Sequence, residues 1–67
     1  MSPAHINAQV RLKEAVEALG LTPGDRGVVV SVWLTPGGFS CEVEFPGSDR
    51  TSPVRAFLRA EQLEVIE

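Results

Sequence analysis

The sequence predicts a small, mainly β domain of five strands with a short helical segment or turn near residues 14–19. Three observations carry this. Residues 28–45 alternate in character with a period of two on both sides of the turn Thr35-Pro36-Gly37-Gly38. A third alternating run follows at 54–58. Pro and Gly concentrate in the segments between these runs, where turn chemistry needs them.

The chain has 67 residues, room for a single domain. Residues 1–7 lack periodicity and are expected as a flexible tail, with the domain at 8–67. A chain this short buries only about 60% of its unfolded surface, so it needs an efficient core or self-association. A single cysteine, Cys41, rules out an internal disulfide, and one Cys with one His argues against a metal site. No cofactor is expected. The net charge of −3 disfavours binding driven by phosphate neutralisation or by an anionic membrane. The N-terminal residues have no basic flank or apolar stretch of the kind a signal peptide carries. An unpaired thiol fits a reducing compartment, so the expected location is cytoplasmic.

The elements follow in order. Ala8, Val10 and Leu12 alternate with Gln9, Arg11 and Lys13 as a strand would. Leu12, Ala15, Val16 and Leu19 recur at helical spacing, and Gly20 is a helix stop. The favoured reading is a strand at 8–13 and a helical segment at 14–19; the alternative is one continuous helix. Pro23-Gly24 suits a type II turn with Gly at positive φ, and Gly27 marks a second special position. Val28, Val30, Val32 and Leu34 form the inward set of the next strand. Phe39, Cys41, Val43 and Phe45 form that of its hairpin partner. A loop at 46–51 leads to a strand with Val54, Ala56 and Leu58 inward. A helical turn at 59–62 precedes a last short strand with Leu63, Val65 and Ile66.

Pairing Leu34 with Phe39 sets Val32 across from Cys41, Val30 from Val43 and Val28 from Phe45. Pairing Val43 with Val54 sets Cys41 across from Ala56 and Phe39 from Leu58. Every inward residue then meets another, and a one-residue slip would break both hairpins. The same register sets Glu42 opposite Arg55 and next to Ser31. It also puts Trp33, Ser40 and Phe57 in one row on the outer face.

Val10-Arg11-Leu12, Gly20-Leu21, Pro23-Gly24-Asp25-Arg26-Gly27-Val28-Val29-Val30, Glu42-Val43-Glu44-Phe45, Leu58 and Gln62-Leu63 occur in that order. Over residues 10–66 this resembles a family of short bacterial proteins catalogued as domain of unknown function 4926. The resemblance implies a small five-stranded SH3-like barrel and no particular activity. More loosely, the Gly-x-x-Gly-x-Val turn is similar to that of KOW-type SH3-like modules, which bind RNA or protein. Those modules are usually basic, and this chain is acidic.

Several residues invite chemistry, and each has a plainer reading. Cys41 sits on an inward strand position, where a thiol acts as a small apolar group. His5 lies in the expected tail with no partner. Glu42 and Glu44, about 7 Å apart by strand geometry, resemble a carboxylate pair, but a flat strand offers no cleft to tune them. Gly24-Asp25-Arg26-Gly27 lacks the Lys and following helix of a phosphate loop. Arg50, Arg55 and Arg59 flank Phe57, a pattern that stacking on single-stranded nucleic acid could use. Trp33 and Phe57 are either interface anchors or rings covered by residues 13–21.

The expected function is therefore a non-enzymatic binding or scaffolding module. Its partner-binding residues would be Trp33, Ser40, Phe57, Arg55 and Arg59, and its partner another protein. The alternatives are RNA or single-stranded nucleic acid, disfavoured by net charge, and self-association into a homo-oligomer. No membrane role is expected.

Overall fold

The computed structural model describes residues 5–46 and 52–66. Residues 1–4 of the expected tail at 1–7, the loop residues 47–51 with Arg50, and residue 67 lie outside the described residues. Five strands form one antiparallel sheet: β1 (Gln9–Leu12), β2 (Arg26–Thr35), β3 (Gly38–Phe45), β4 (Val54–Arg59) and β5 (Leu63–Val65), in the order β4-β3-β2-β1-β5. No ladder joins the two outer strands, β4 and β5. Hydrogen bonding therefore does not close the sheet into a barrel.

The ambiguous segment at 8–19 resolves into β1 followed by a single 3-10 turn at Glu17–Leu19. Six residues are too few to repay helix nucleation. Instead Val16 and Leu21 exchange backbone hydrogen bonds across the turn, and Gly20 takes the left-handed φ of 71°. Leu21 thereby reaches the core, while Ala15 and Leu19 stay exposed.

Thr22–Asp25 is the expected turn, with Gly24 at φ 95°. The Asp25 backbone N–H donates to the Thr22 carbonyl, and its carboxylate accepts from the Thr22 N–H. Gly24 N–H donates to Leu12 O, and Leu12 N–H to Asp25 O, which pins the turn to the end of β1. Gly27 is special for space rather than for φ. A Cβ there would lie 2.6 Å from Val43 Cγ1 and 2.8 Å from the Glu44 carbonyl oxygen.

The expected inward set of β2 needs correction. The ladder to β3 runs regularly from Thr35/Gly38 to Ser31/Glu42, then shifts so that Val29 meets Val43 and Val28 meets Glu44. Val30 is the extra residue of a β-bulge. A bulge inverts the alternation of its strand. Val29 is fully buried, and Val28 turns outward at 37% exposure. Val32 still packs against the core, but Leu34 is exposed, because the hairpin tip runs past the core.

The β3–β4 register also differs, by two residues. Val43 meets Ala56, Cys41 meets Leu58 and Phe45 meets Val54. A two-residue shift preserves every face, so Cys41, Val43, Phe45, Ala56 and Leu58 are buried as expected, while Phe39 and Val54, also expected inward, are half-buried. Leu63 of β5 opposes Leu12 of β1 and completes the core. A 3-10 turn at Ala60–Gln62 links β4 to β5.

Candidate functional site

The outer face of β2, β3 and β4 carries three cross-strand rows: Val28–Glu44–Arg55, Ser31–Glu42–Phe57, and Trp33–Ser40–Arg59. Trp33 and Ser40 are paired as expected, but Phe57 sits one row away, opposite Glu42. Arg59 takes the place expected of Phe57. The two rings still meet across β3, with centroids 5.2 Å apart and planes inclined by 37°. The small Ser40 side chain leaves room for that diagonal contact, within the 4.5–7 Å range at which aromatic pairs attract.

These rings are not covered by residues 13–21. Trp33 is 43% exposed and Phe57 70% exposed. The apolar residues that could have roofed them went elsewhere: Leu21 into the core, Val16 against its margin, and Ala15 and Leu19 to solvent.

Arg55 opposes Glu44 rather than Glu42, yet its guanidinium reaches both carboxylates, at 3.7 and 3.8 Å. Glu42 also accepts from the Ser31 hydroxyl at 3.0 Å. With Arg55 mostly exposed, each ion pair contributes well under ~1 kcal/mol to stability. One guanidinium thus faces two carboxylates on an open face, which leaves this patch net negative. Arg59 has no ion-pair partner among the described residues. Its backbone N–H donates to the Gln62 side-chain oxygen at 2.9 Å.

The bulge creates a second feature that strict alternation conceals. Val28 and Val30 line a groove of about 420 Å3 with Asn7, Glu44 and Pro46. Asn7 holds a φ of 74°, and its N–H donates to Val29 O beside the bulge. The triple valine at 28–30 is silent about which residue bulges.

The remaining candidates are structural. Cys41 is fully buried, and burial pushes its thiol pKa up, away from reactive thiolate. His5 is exposed and contacts the adjacent Ile6 carbonyl. The Asp25 carboxylate is committed to its turn. Among the described residues no three His, Cys, Asp or Glu side chains could hold a metal ion, and no helix is long and apolar enough to cross a membrane. No family model, curated protein or solved structure matches the chain.

Proposed function

We propose that this chain is a non-catalytic protein-binding module of the SH3-like type, acting in a bacterial cytoplasm. The strand order supports the fold part of this reading: β1 lies between β2 and the last strand, and a 3-10 turn joins β4 to β5. One observation carries the function: two aromatic rings held against each other on an open face, Phe57 mostly in water and Trp33 nearly half so. A preorganised aromatic pair loses little conformational freedom when a partner buries it, and such residues dominate interface energetics. Arg59 beside them supplies a cation with no ion-pair partner among the described residues, and Arg55 a rim charge. The RNA reading weakens because two carboxylates, Glu42 and Glu44, stand beside Arg55 and make that patch net negative, which repels phosphate.

The test is affinity capture from the native host with the wild type and with a Trp33→Ser/Phe57→Ser variant. The variant is expected to keep its circular dichroism spectrum and to lose its partner, with each anchor worth about 2 kcal/mol, roughly 30-fold. Unchanged recovery would refute this reading. So would loss of the fold, since it would make the rings core residues.

A further inference from the structure

The main-chain groups of β4 divide cleanly into two sets. Thr35 and Gly38 flank the two-residue loop of the first hairpin and form its closing hydrogen-bonded pair. Alternation makes Trp33/Ser40 and Ser31/Glu42 the next such pairs. Ser40 and Glu42 therefore spend their N–H and C=O groups on β2. Their partners across the other side, Arg59 and Phe57, are unbonded to β3, and so is Arg55 opposite Glu44. The Arg59 N–H agrees with this assignment, because it turns away from β3 to the Gln62 side chain. Among the described residues no other backbone hydrogen bond reaches Val54–Leu58.

The open edge of β4 is thus a short window. Pro53 has no N–H at one end, and the Arg59 N–H is already taken at the other. Between them Arg55 and Phe57 present two donors and two acceptors, symmetric about Ala56.

We propose that this window pairs with the same window of a second copy, antiparallel, with a two-fold axis at Ala56. Arg55 of each copy then exchanges two hydrogen bonds with Phe57 of the other, and all four open groups are satisfied. On the inner face Val54 meets Leu58 of the second copy, and Ala56 meets its own counterpart. On the outer face each Arg55 lies over the other copy's Phe57, a cation–π arrangement. Moving the axis to Phe57 would oppose Arg55 to Arg59 twice, and moving it to Arg55 would oppose that residue to itself. Like charges directly across a ladder are destabilising, so of the three registers centred between Arg55 and Phe57 only the one at Ala56 avoids them. The axis stands perpendicular to the sheet, so the two Trp33–Phe57 pairs end on one continuous outer face. This pairing does not depend on the partner proposed above. The paired segment is short, which places the dimer in the transient class of interfaces.

Sedimentation velocity on the wild type from about 10 μM to about 1 mM brackets that class. Weight-average mass should rise from 7.2 kDa towards twice that value. Arg55→Pro removes one edge donor without touching the β3 ladder, and edge strands tolerate proline there. This variant should stay at the monomer mass with its circular dichroism spectrum intact. In the wild type, the Arg55 and Phe57 amides should exchange with deuterium more slowly as concentration rises, a reading that needs no variant to fold. A wild type that remains at 7.2 kDa overturns the proposal. So does a dimer that persists in a folded Arg55→Pro variant, or one whose Arg55 and Phe57 amides exchange at a concentration-independent rate.

Discussion

Replacing Gly27 with alanine should destabilise the domain, although the site has no left-handed backbone to protect. The added methyl would sit 2.6 Å from Val43 Cγ1, 2.8 Å from the Glu44 carbonyl oxygen and 3.0 Å from Phe45 Cδ2. Non-bonded carbons prefer about 3.5–4.0 Å, so the closest contact must open by roughly 1 Å. Val43 and Phe45 are at most 1% exposed, so neither can relieve the contact by swinging into solvent without leaving the core. The Glu44 oxygen belongs to the sheet itself. Relief requires β2 and β3 to part at that end. Overpacking of this kind costs about 1–3 kcal/mol, and the upper part of that range applies where backbone is involved. Alanine also lowers the entropy of the unfolded chain, which offsets about 0.4–1 kcal/mol. The net loss is about 2 kcal/mol. In a domain of this size each kcal/mol shifts Tm by roughly 4–8 °C, so Tm should fall by about 8–16 °C. Thermal melts followed by circular dichroism read this directly. Gly37→Ala is the control, since nothing lies within 4 Å of its Cβ position and its φ is not left-handed. A Gly27→Ala melt within about 2 °C of wild type, on that same scale, would refute the packing argument.

Three further outcomes follow from the structure. Phe45→Ala should cost about 3–5 kcal/mol, a large share of the stability of a chain this short, and leave a substantial unfolded population in a urea titration at 25 °C. The Cys41 thiol should resist iodoacetamide in the native protein and react only as fast as the chain opens; rapid labelling without unfolding would contradict its burial. Glu64 accepts two hydrogen bonds from the Arg11 guanidinium, at 2.8 and 3.2 Å. That hydrogen bonding, then the Arg11 charge, lowers its pKa from the ordinary 4.5. The unfolded chain therefore binds the proton more tightly. The stabilisation is fully present above the ordinary value and is lost as pH falls through the lower folded one. Arg11→Ala should flatten the pH dependence of Tm in that acid window, and an unchanged slope would remove the ion pair from the account.

Much of the fold was legible because side-chain period is a strong signal. Cys41, Val43 and Phe45 could face only one way, and so could Ala56 and Leu58. What a period of two cannot encode is a shift of two. The β3–β4 register was therefore free to differ, and Arg55 exchanged Glu42 for Glu44 as its direct neighbour. The bulge was hidden for a related reason: Val28, Val29 and Val30 are chemically identical, so no apolar count distinguishes the one that drops out of register. The exposure of Trp33 and Phe57 depended on where residues 13–21 travel. That was decided by the Val16–Leu21 bridge and by Gly20, not by the amount of apolar surface those residues carry. At the candidate site the residue types were readable and their rows were not. Arg59, rather than Phe57, completes the row of Trp33 and Ser40.

The ladder between β1 and β5 has a topological consequence. The Ile66 N–H donates to the Gln9 carbonyl at 2.8 Å, so positions more than fifty residues apart in sequence are immediate neighbours in space. The path from Gln9 to Ile66 is a nearly closed loop whose seam is sealed by main-chain bonds. A short covalent joint across that seam would let the chain be reopened elsewhere, for instance between Pro36 and Gly37, with every strand retained in a new order. The seam also joins the most distant partners in the sheet, and its closure carries the largest entropic cost of any ladder here. The local hairpins span far shorter stretches of chain, and the contact of Leu63 with Leu12 is the core pairing that this long closure delivers.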